Sequence, residues 1–335
     1  MLVLVLRSLM TSFGKCRLGM VWLGVIGLLL WLPLYSKPSD QGRRYAWFSA
    51  DECYQYMIQS YHERDWGRTT FAGLDLIQLF PSHPFAREGC YYLGVAYFHL
   101  GDYRLSNFYF SKYLSNAEVT KFFHEVMKYK LLIGGQFAER ASPSLFGRGK
   151  LQKALDVYEE IIVALPSDDL SAQALYRKGK LLVKSSRYQE GIDAYQTLIC
   201  RFPEHTLSPQ GYEGISEAYL LQCETRYPDY DYLDLAEINL KNIYERFPHS
   251  PCVAQVKRIL HRMKEHFAEH LLGIGVFYQG RCQLKAAGFC YMAIVRSFPE
   301  TLTSQLAKKK LLALDPKIFD GEDIKRKEEL LSRSP

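Results

Sequence analysis

Small and apolar residues recur at helical spacing along most of the chain, in segments that can be superimposed on one another. Three such segments, counted from Arg87, Ala172 and Ala268, share five positions. The eighth and twentieth residues are small, the twenty-fourth is a ring, and the eleventh and twenty-seventh are apolar or aromatic. Because residues three and four apart share a helix face, these positions belong to the facing sides of two successive helices. The pattern predicts helical hairpins whose small residues let the two helices approach closely.

Proline marks the end of the second helix in most of the predicted hairpins, since it has no backbone N–H to continue a helix. The recurring ends are Phe80-Pro81, Leu165-Pro166, Phe202-Pro203, Phe247-Pro248 and Phe298-Pro299. Six hairpins then fit between about Trp47 and Phe298. The third contains an insertion or long turn at Ala138–Lys150, and the fifth an insertion at Cys223–Tyr232. Strand patterns are scarce, so the sequence predicts an all-α protein.

The 34-residue spacing of these hairpins resembles the tetratricopeptide repeat. The resemblance implies a solenoid at residues 47–301, in which each hairpin contacts only its neighbours and a concave surface is left open. The last hairpin needs a helix with a polar outer face to cover it, and residues 302–319 are predicted to supply this cap. Residues 320–335 have mixed charge and few apolar side chains, which is typical of a polar tail.

The N-terminal 36 residues have the pattern of an export signal. Arg7, Lys15 and Arg17 precede an uncharged apolar run at Leu18–Tyr35, and a polar stretch follows it. The length of the run is at the border between a signal-peptide core and a membrane-spanning helix, which needs roughly 20 residues. Two interpretations stay open: a cleaved signal peptide, or an uncleaved anchor with the body on the far side of the membrane. Both predict an exported protein.

Composition excludes several classes of protein. With 48% apolar and 23% charged residues, the chain is neither wholly disordered nor a small disulfide scaffold. The net charge of +6 comes with no basic patch or stripe, so we expect no nucleic-acid partner. The eight cysteines form no CxxC pair, which leaves free thiols and disulfides as alternatives. Cys53 and Cys90 occupy equivalent hairpin positions, which favours buried thiols.

No local signature of catalysis is present: the sequence has no GxSxG, HExxH, Walker loop or GxGxxG. His266 and His270 are four residues apart and share a helix face, as metal ligands on one helix would. Their neighbours Lys264, Glu265 and Glu269 are typical of an ordinary solvated face. We therefore predict a protein that is not an enzyme and has no metal or cofactor.

Three sequence segments resemble a known family. The first two are Ile199-Cys-Arg-Phe-Pro203 and Ile243-Tyr-Glu-Arg-Phe-Pro248. The third contains Phe277-Tyr278, then Lys285-Ala286-Ala287, and ends with Val295-Arg-Ser-Phe-Pro-Glu-Thr301. They resemble the BamD family of outer-membrane assembly lipoproteins, whose last repeat has a tyrosine, an Ala-Ala pair and a Tyr/Phe-Pro-x-Thr ending. The resemblance implies a periplasm-facing scaffold that docks on a β-barrel insertase, contacts other assembly components and receives unfolded outer-membrane proteins.

Periplasmic repeat proteins that organise cell-wall or Tol machinery share part of this sequence pattern. A protein of that kind is the alternative to an outer-membrane assembly scaffold. The family is lipid-anchored at a cysteine directly after the signal core, whereas here no cysteine follows the apolar run until Cys53. We expect anchoring, if the segment is uncleaved, through Leu18–Tyr35 instead.

Tetratricopeptide arrays line their groove with positions 2, 5, 9 and 12 of each first helix. Carried onto the first two hairpins, the resemblance implies a partner-binding groove of Tyr54, Ile58, Tyr61, Glu88, Tyr91, Val95 and Phe98. We expect Tyr91, Val95 and Phe98 to expose apolar area there, which a monomer rarely tolerates without a ligand. The alternative is that a neighbouring helix fills the groove.

Overall fold

The protein is described by a computed structural model at residues 49–115, 121–141, 148–225, 229–315, 319 and 321–332. The predicted signal or anchor at residues 1–36, and Trp47, lie outside the described residues. Within the described ranges the secondary structure consists of fourteen helices without a strand, which confirms the all-α prediction. The helices are α1 Ala50–His62, α2 Trp66–Leu79, α3 Pro84–His99, α4 Tyr103–Leu114, α5 Phe123–Glu139, α6 Arg148–Ala164, α7 Asp169–Lys184, α8 Tyr188–Arg201, α9 Ser208–Thr225, α10 Tyr230–Arg246, α11 Pro251–Gly280, α12 Leu284–Ser297, α13 Leu302–Leu312 and α14 Gly321–Ser332.

Successive helices pair into six hairpins, from α1/α2 to α11/α12. The first helix of each hairpin also packs on the first helix of the next, in the series α1, α3, α5, α7, α9 and α11. Each second helix packs on the first helix of the following hairpin. Helix α13 takes the place of a seventh first helix, because it contacts both α11 and α12. This neighbour-to-neighbour packing is that of the predicted repeat solenoid.

Four hairpins are closed by a ring packed against a glycine. The ring on the second helix lies over a glycine of the first helix, and a Cβ added to that glycine would lie 2.5, 2.6 or 2.7 Å from a ring carbon. The pairs are Gly94 with Phe110, Gly134 with Tyr158, Gly179 with Tyr195 and Gly275 with Tyr291. Ser106, the small residue at the twentieth position of its hairpin, donates its hydroxyl to the Gly94 carbonyl at 2.7 Å. The small residues therefore allow the close approach that the sequence pattern predicts.

The buried side chains form two clusters that meet at α7/α8. Leu182 and Leu198 belong to the cluster that runs back to α3, and Tyr195 and Ile199 belong to the one that runs forward to α13. Cys53 and Cys90 are buried in the first and second hairpins, as expected from their equivalent positions. The seven cysteines of the described residues are free thiols.

In the fifth and sixth hairpins the helices extend further than the sequence predicts. Helix α9 continues to Thr225 and buries Cys223 completely, and α10 begins at Tyr230, so both ends of the predicted insertion at Cys223–Tyr232 are helical. The first helix of the sixth hairpin, α11, has 30 residues and starts at Pro251 rather than near Ala268. Its first half is helical because Val256, Leu260 and Met263 are buried against the preceding hairpin.

The C-terminal segment differs from a solvated tail. Helix α14 packs on α12, and the adjacent Phe319 is buried. Lys327 of α14 is also buried, donates to the Leu314 carbonyl at 3.3 Å and lies over the Phe319 ring. Part of the segment predicted as polar tail is therefore a docked helix.

Candidate interaction surface

The first helices α1, α3 and α5 pack side by side and carry the residues predicted to line a groove. Tyr54, Ile58 and Tyr61 of α1 are half-buried, as are Glu88 and Phe98 of α3. Their repeated spacing of three and four residues places each set along one helix face. These five residues therefore lie at the surface of neighbouring first helices, at the positions that the sequence indicates.

Two predicted groove residues are not at the surface. Tyr91 is 2% exposed and Val95 is 0% exposed, so the expectation that they expose apolar area is wrong. The Tyr91 ring stacks on Phe122, just before α5, with 4.1 Å between centroids and 11° between planes. The following hairpin covers this side of α3, and the pattern within a single hairpin does not show that contact. For these two positions the alternative, a groove filled by a neighbouring element, holds.

Tyr92, which is not among the predicted groove residues, lies at the surface beside the buried Tyr91. It is half-buried, and its ring lies 6.3 Å from Tyr54, 5.0 Å from Tyr61 and 5.1 Å from Tyr91, each in an edge-to-face arrangement. Edge-to-face contacts between rings add to the stabilisation that comes from burial. Tyr92 thus joins α1 and α3 into one aromatic surface.

Helix α5 extends this surface. Its Tyr129 is half-buried and packs edge-to-face on Phe98 at 5.2 Å. Leu132, one turn further along, is 47% exposed. Sequence reasoning missed both because neither falls on a groove position. With Gly134 counted as the eighth residue of the third hairpin, Tyr129 is the third residue and Leu132 the sixth, which is the position of Tyr92 in the second hairpin.

Two carboxylates influence the phenols of this surface. The Tyr54 hydroxyl donates to Glu88 Oε2 at 2.5 Å. Burial first, and then this hydrogen bond, raises the pKa of Tyr54 far above the ordinary tyrosine value. Burial first, and then the nearby Glu125, raises the pKa of Tyr91 in the same direction. Burial also raises the pKa of Tyr92, with the charges of Glu88 and Glu125 contributing. Both carboxylates therefore raise the pKa of the same phenol, that of Tyr92.

The rings and the two carboxylates together form a surface that we call the aromatic–acidic patch. Its members are Tyr54, Tyr61, Tyr92, Phe98, Tyr129, Glu88 and Glu125.

The first-helix face becomes more polar beyond α5. Arg177 of α7 donates to the Leu131 carbonyl at 3.3 Å. Burial raises the pKa of Tyr176, and the charges of Glu213 and Glu217 on α9 raise it further. Half-buried rings that contact one another lie on α1, α3 and α5, whereas Tyr176 of α7 is a half-buried ring beside polar groups.

The charged neighbours of the α11 histidines form contacts that the sequence did not indicate. Lys264 pairs with Glu237 at 3.0 Å and with Glu300 at 2.9 Å, so it links α10 to the turn before α13. Glu265 accepts from the backbone N–H groups of Leu302 and Thr303 at 2.9 and 2.8 Å. Lys264 and Glu265 therefore lie in contacts between helices, because the solenoid continues across them, whereas Glu269 is exposed as predicted.

Metal-binding groups and membrane-spanning helices are both absent from the described part of the chain. No group of three or more His, Cys, Asp or Glu side chains in it is placed to hold a metal ion. None of the helices within the described ranges combines the length and apolar composition needed to cross a membrane.

Comparison with known proteins identifies one segment. The tetratricopeptide repeat profile matches residues 173–205. A solved tetratricopeptide repeat protein from Parabacteroides merdae ATCC 43184 is similar over 84% of this chain and 97% of its own, with 14% identity and a TM-score of 0.39. YrrB, described as a TPR protein with an unusual peptide-binding site, is similar over 63% of this chain and 92% of its own, with 14% identity and a TM-score of 0.38. No curated protein sequence matches the chain.

The matched segment covers most of α7, its turn and α8. The ring-to-glycine contact of this hairpin, Tyr195 on Gly179, recurs in three others. The packing of first helix on first helix also continues through all six. Hairpin α7/α8 is accordingly a tetratricopeptide repeat, set in a solenoid of hairpins with the same architecture.

Proposed function

We propose that this protein is a non-enzymatic scaffold that binds polypeptide segments on the aromatic–acidic patch, and that it does so in the cell envelope during assembly of outer-membrane β-barrel proteins. The observation that carries the proposal is the set of half-buried rings on three neighbouring first helices. Tetratricopeptide solenoids are interaction scaffolds, so the coarse function follows from the fold. The envelope role and the identity of the partners are the proposed part.

The chemistry of the patch suits a polypeptide ligand. Aromatic side chains are the commonest anchors at protein interfaces, because a ring buries a large area with few rotatable bonds. Rings from α1, α3 and α5 contact one another directly and so hold a fixed arrangement. Phenol and carboxylate oxygens beside them offer partners to the backbone and polar groups of a bound segment. Leu132 adds an exposed apolar contact at the α5 end.

The envelope assignment is supported by the sequence. The phrases ending in Phe-Pro and the Ala-Ala pair of the last hairpin resemble the outer-membrane assembly family, and the run Leu18–Tyr35 has the pattern of an export signal or anchor. The proposed partners are a β-barrel insertase, other assembly components and unfolded outer-membrane protein segments. The proposed location faces the periplasm, with contact to the membrane through the N-terminus where it stays uncleaved.

Binding of two defined partners tests this function. The full-length chain in detergent is titrated with the periplasmic domains of a β-barrel insertase and, separately, with an unfolded outer-membrane β-barrel protein. We expect saturable binding of both. Leu132→Ser, which alters an exposed side chain, and Tyr54→Ala with Tyr61→Ala should weaken capture of the unfolded protein by about tenfold or more. Phe108→Ala is the matched control, because this ring is 57% exposed on a second helix.

Melting curves for each variant separate lost binding from lost folding. Binding of neither partner overturns the envelope role. Full binding by a folded Leu132→Ser variant and a folded double variant overturns the patch as the binding surface. Hydrolysis of a cell-wall substrate by the purified chain would overturn the non-enzymatic assignment.

A further inference from the structure

Two acidic side chains of the aromatic–acidic patch have no cationic partner among the described residues. Glu88 and Glu125 lie on neighbouring first helices, and neither forms an ion pair with a lysine or arginine of the described ranges. Elsewhere in the described structure, exposed and half-buried carboxylates such as Glu159, Glu224 and Glu237 do pair with cations. Within the described residues, the patch therefore carries negative charge that no ion pair neutralises.

One hydrogen bond within the patch holds Glu88 in place and leaves it able to accept others. Tyr54 donates this hydrogen bond to Glu88 Oε2. A carboxylate has about four lone-pair positions, so each of the two keeps acceptor capacity for a ligand. Glu88 is half-buried and Glu125 is exposed, which leaves both within reach of a bound molecule.

Rings lie near the two carboxylates. Tyr92 lies between Tyr54 and Tyr61, at 6.3 and 5.0 Å between centroids, and both carboxylates are close enough to act on its phenol. Cations already lie over other rings of the same region: Lys121 Nζ is 4.9 Å from the Phe122 centroid, and the Arg87 guanidinium is 5.8 Å from that of Tyr113. Ring faces beside uncompensated carboxylates are a favourable environment for a cation.

We infer that Glu88 and Glu125, with Tyr54, Tyr61 and Tyr92, select polypeptide segments that present an arginine next to an aromatic residue. Arginine fits best, because its planar guanidinium forms two parallel hydrogen bonds to a carboxylate and stacks on a ring at the same time. The adjacent aromatic residue of the segment packs on Phe98 and Tyr129, which continue the surface toward α5. This inference rests on the proposed function, since it assigns a ligand chemistry to the same surface.

Paired peptides measure the selectivity directly. The probe is a fluorescein-labelled peptide of Gly, Ser, Tyr, Phe and two Arg, each Arg beside a ring. Its counterparts carry citrulline, which is neutral and of the same shape, or glutamate in place of Arg. Fluorescence anisotropy with the full-length chain is expected to show about tenfold weaker binding of the citrulline peptide and still weaker binding of the glutamate peptide. Added salt should weaken binding of the arginine peptide more than that of the citrulline peptide.

Conservative variants locate the effect. Glu88→Gln keeps an oxygen that accepts from Tyr54, and Glu125→Gln alters an exposed side chain, so the fold is expected to persist, as melting curves will verify. Each variant should bind the arginine peptide several-fold more weakly and the citrulline peptide unchanged. Glu328→Gln on α14 is the control, because Glu328 is exposed on the last helix.

The outcomes distinguish this inference from the function on which it rests. Equal affinity for the arginine and citrulline peptides, or loss of selectivity in neither glutamine variant, overturns the cation preference and leaves polypeptide binding standing. Absence of binding by all three peptides, together with no capture of an unfolded outer-membrane protein, overturns the proposed function as well.

Discussion

Four turns between the helices of a hairpin place one residue in the left-handed region of backbone space. These residues are Arg64, Gly101, Ser186 and Cys282, with φ of 58°, 80°, 61° and 59°. In each turn this residue donates its N–H to the carbonyl three residues back, and the next residue donates to the carbonyl five back, which is the Schellman ending of a helix. A left-handed conformation costs about 1–2 kcal/mol for residues with a Cβ. Three of the four turns therefore carry local strain that glycine would relieve.

Ser186→Gly should raise the free energy of unfolding, and Gly101→Ser should lower it. The strain relieved at Ser186 is offset in part by the extra freedom that glycine gives the unfolded chain, so the net gain is about 0.5–1 kcal/mol. Urea denaturation of both variants measures the two changes, and equal m-values would show that the surface exposed on unfolding is unaltered. Changes of the same sign in the two variants would contradict this account.

Lys130 is a buried charge that links three helices. It is 0% exposed, its Nζ donates to Asn107 Oδ1 at 3.2 Å and Ser111 Oγ at 2.8 Å of α4, and it pairs with Glu160 of α6. Burial lowers the pKa of Lys130, whereas the bond to Glu160 opposes that shift. Breaking such a pair from one side leaves a buried charge without its partner, whereas replacing the buried member with an apolar residue removes that cost.

Glu160→Gln is therefore expected to cost about 1–3 kcal/mol of stability in the natural background, and close to nothing once Lys130 has been replaced by methionine. Urea denaturation of the two single variants and the double variant gives the coupling energy. A Glu160→Gln effect of the same size in the natural chain and in the Lys130→Met variant would show that the pair is not what the substitution disturbs.

At the scale of the helical hairpin, close approach depends on particular glycines. A Cβ at Gly275 would lie 2.5 Å from Cε1 of Tyr291, whereas nothing lies within 4 Å of one at Gly273, two residues earlier in the same helix. The same substitution therefore has opposite effects at the two positions. Helix propensity alone favours alanine over glycine by about 1 kcal/mol, and only the packed position opposes this preference.

Gly275→Ala should lower the stability by about 1–3 kcal/mol, because the Tyr291 ring has to move out of its place against the first helix. Gly273→Ala is the matched control and should raise the stability by up to about 1 kcal/mol. Thermal or urea unfolding of both variants checks the pair. A neutral Gly275→Ala would mean that the ring-to-glycine contact does not hold the hairpin together.

Packing between hairpins also predicts how strongly Tyr91 contributes to stability. Because this ring is buried against Phe122 of the next hairpin, Tyr91→Ala should destabilise the fold by about 3 kcal/mol or more. Phe108→Ala, at an exposed ring of α4, should change stability by no more than about 0.5 kcal/mol. Urea denaturation compares the two. A Tyr91→Ala variant of full stability would place the ring outside the core after all.

Across the whole molecule, tyrosine is the dominant titratable group of the core. Burial raises the pKa of twelve tyrosines of the described residues, from α1 to α12. The folded state therefore holds these protons more tightly than the unfolded state, whose tyrosines titrate near 10.0. The resulting stabilisation is fully present below pH 10.0 and is lost as the pH rises above it.

Alkaline unfolding is thus expected to begin above about pH 10 and to be cooperative, with phenolate absorbance and helical circular dichroism changing together. Tyr158→Phe should delay it, because burial raises the pKa of Tyr158 to about 12 and phenylalanine has no proton to lose. Tyr244→Phe, at an exposed ring, is the control and should leave the transition unchanged. Ionisation of all phenols well before the helices melt would contradict the link between them.

Within a hairpin, the amino-acid sequence by itself determined the fold. In three of the four glycine-and-ring pairs the two residues are sixteen apart, as in Gly179 and Tyr195, whereas Gly134 and Tyr158 are twenty-four apart. The proline-containing ends indicate where second helices stop. These signals act between neighbouring parts of the chain, so spacing alone predicts the hairpins and the small residues at the helix crossings. The surface locations of Tyr54, Ile58, Tyr61, Glu88 and Phe98 were instead implied by the family resemblance.

Only the tertiary structure decided which residues of a first helix stay at the surface. Tyr91 and Tyr92 are adjacent and of the same type, yet the first is buried by Phe122 and the second is left half-buried beside Tyr54 and Tyr61. The length of α11 and the contacts of Lys264 were settled in the same way, by a neighbouring hairpin. The physical reason is that burial on this face depends on side chains about thirty residues away along the chain, whose packing no local pattern of hydrophobic and polar positions records.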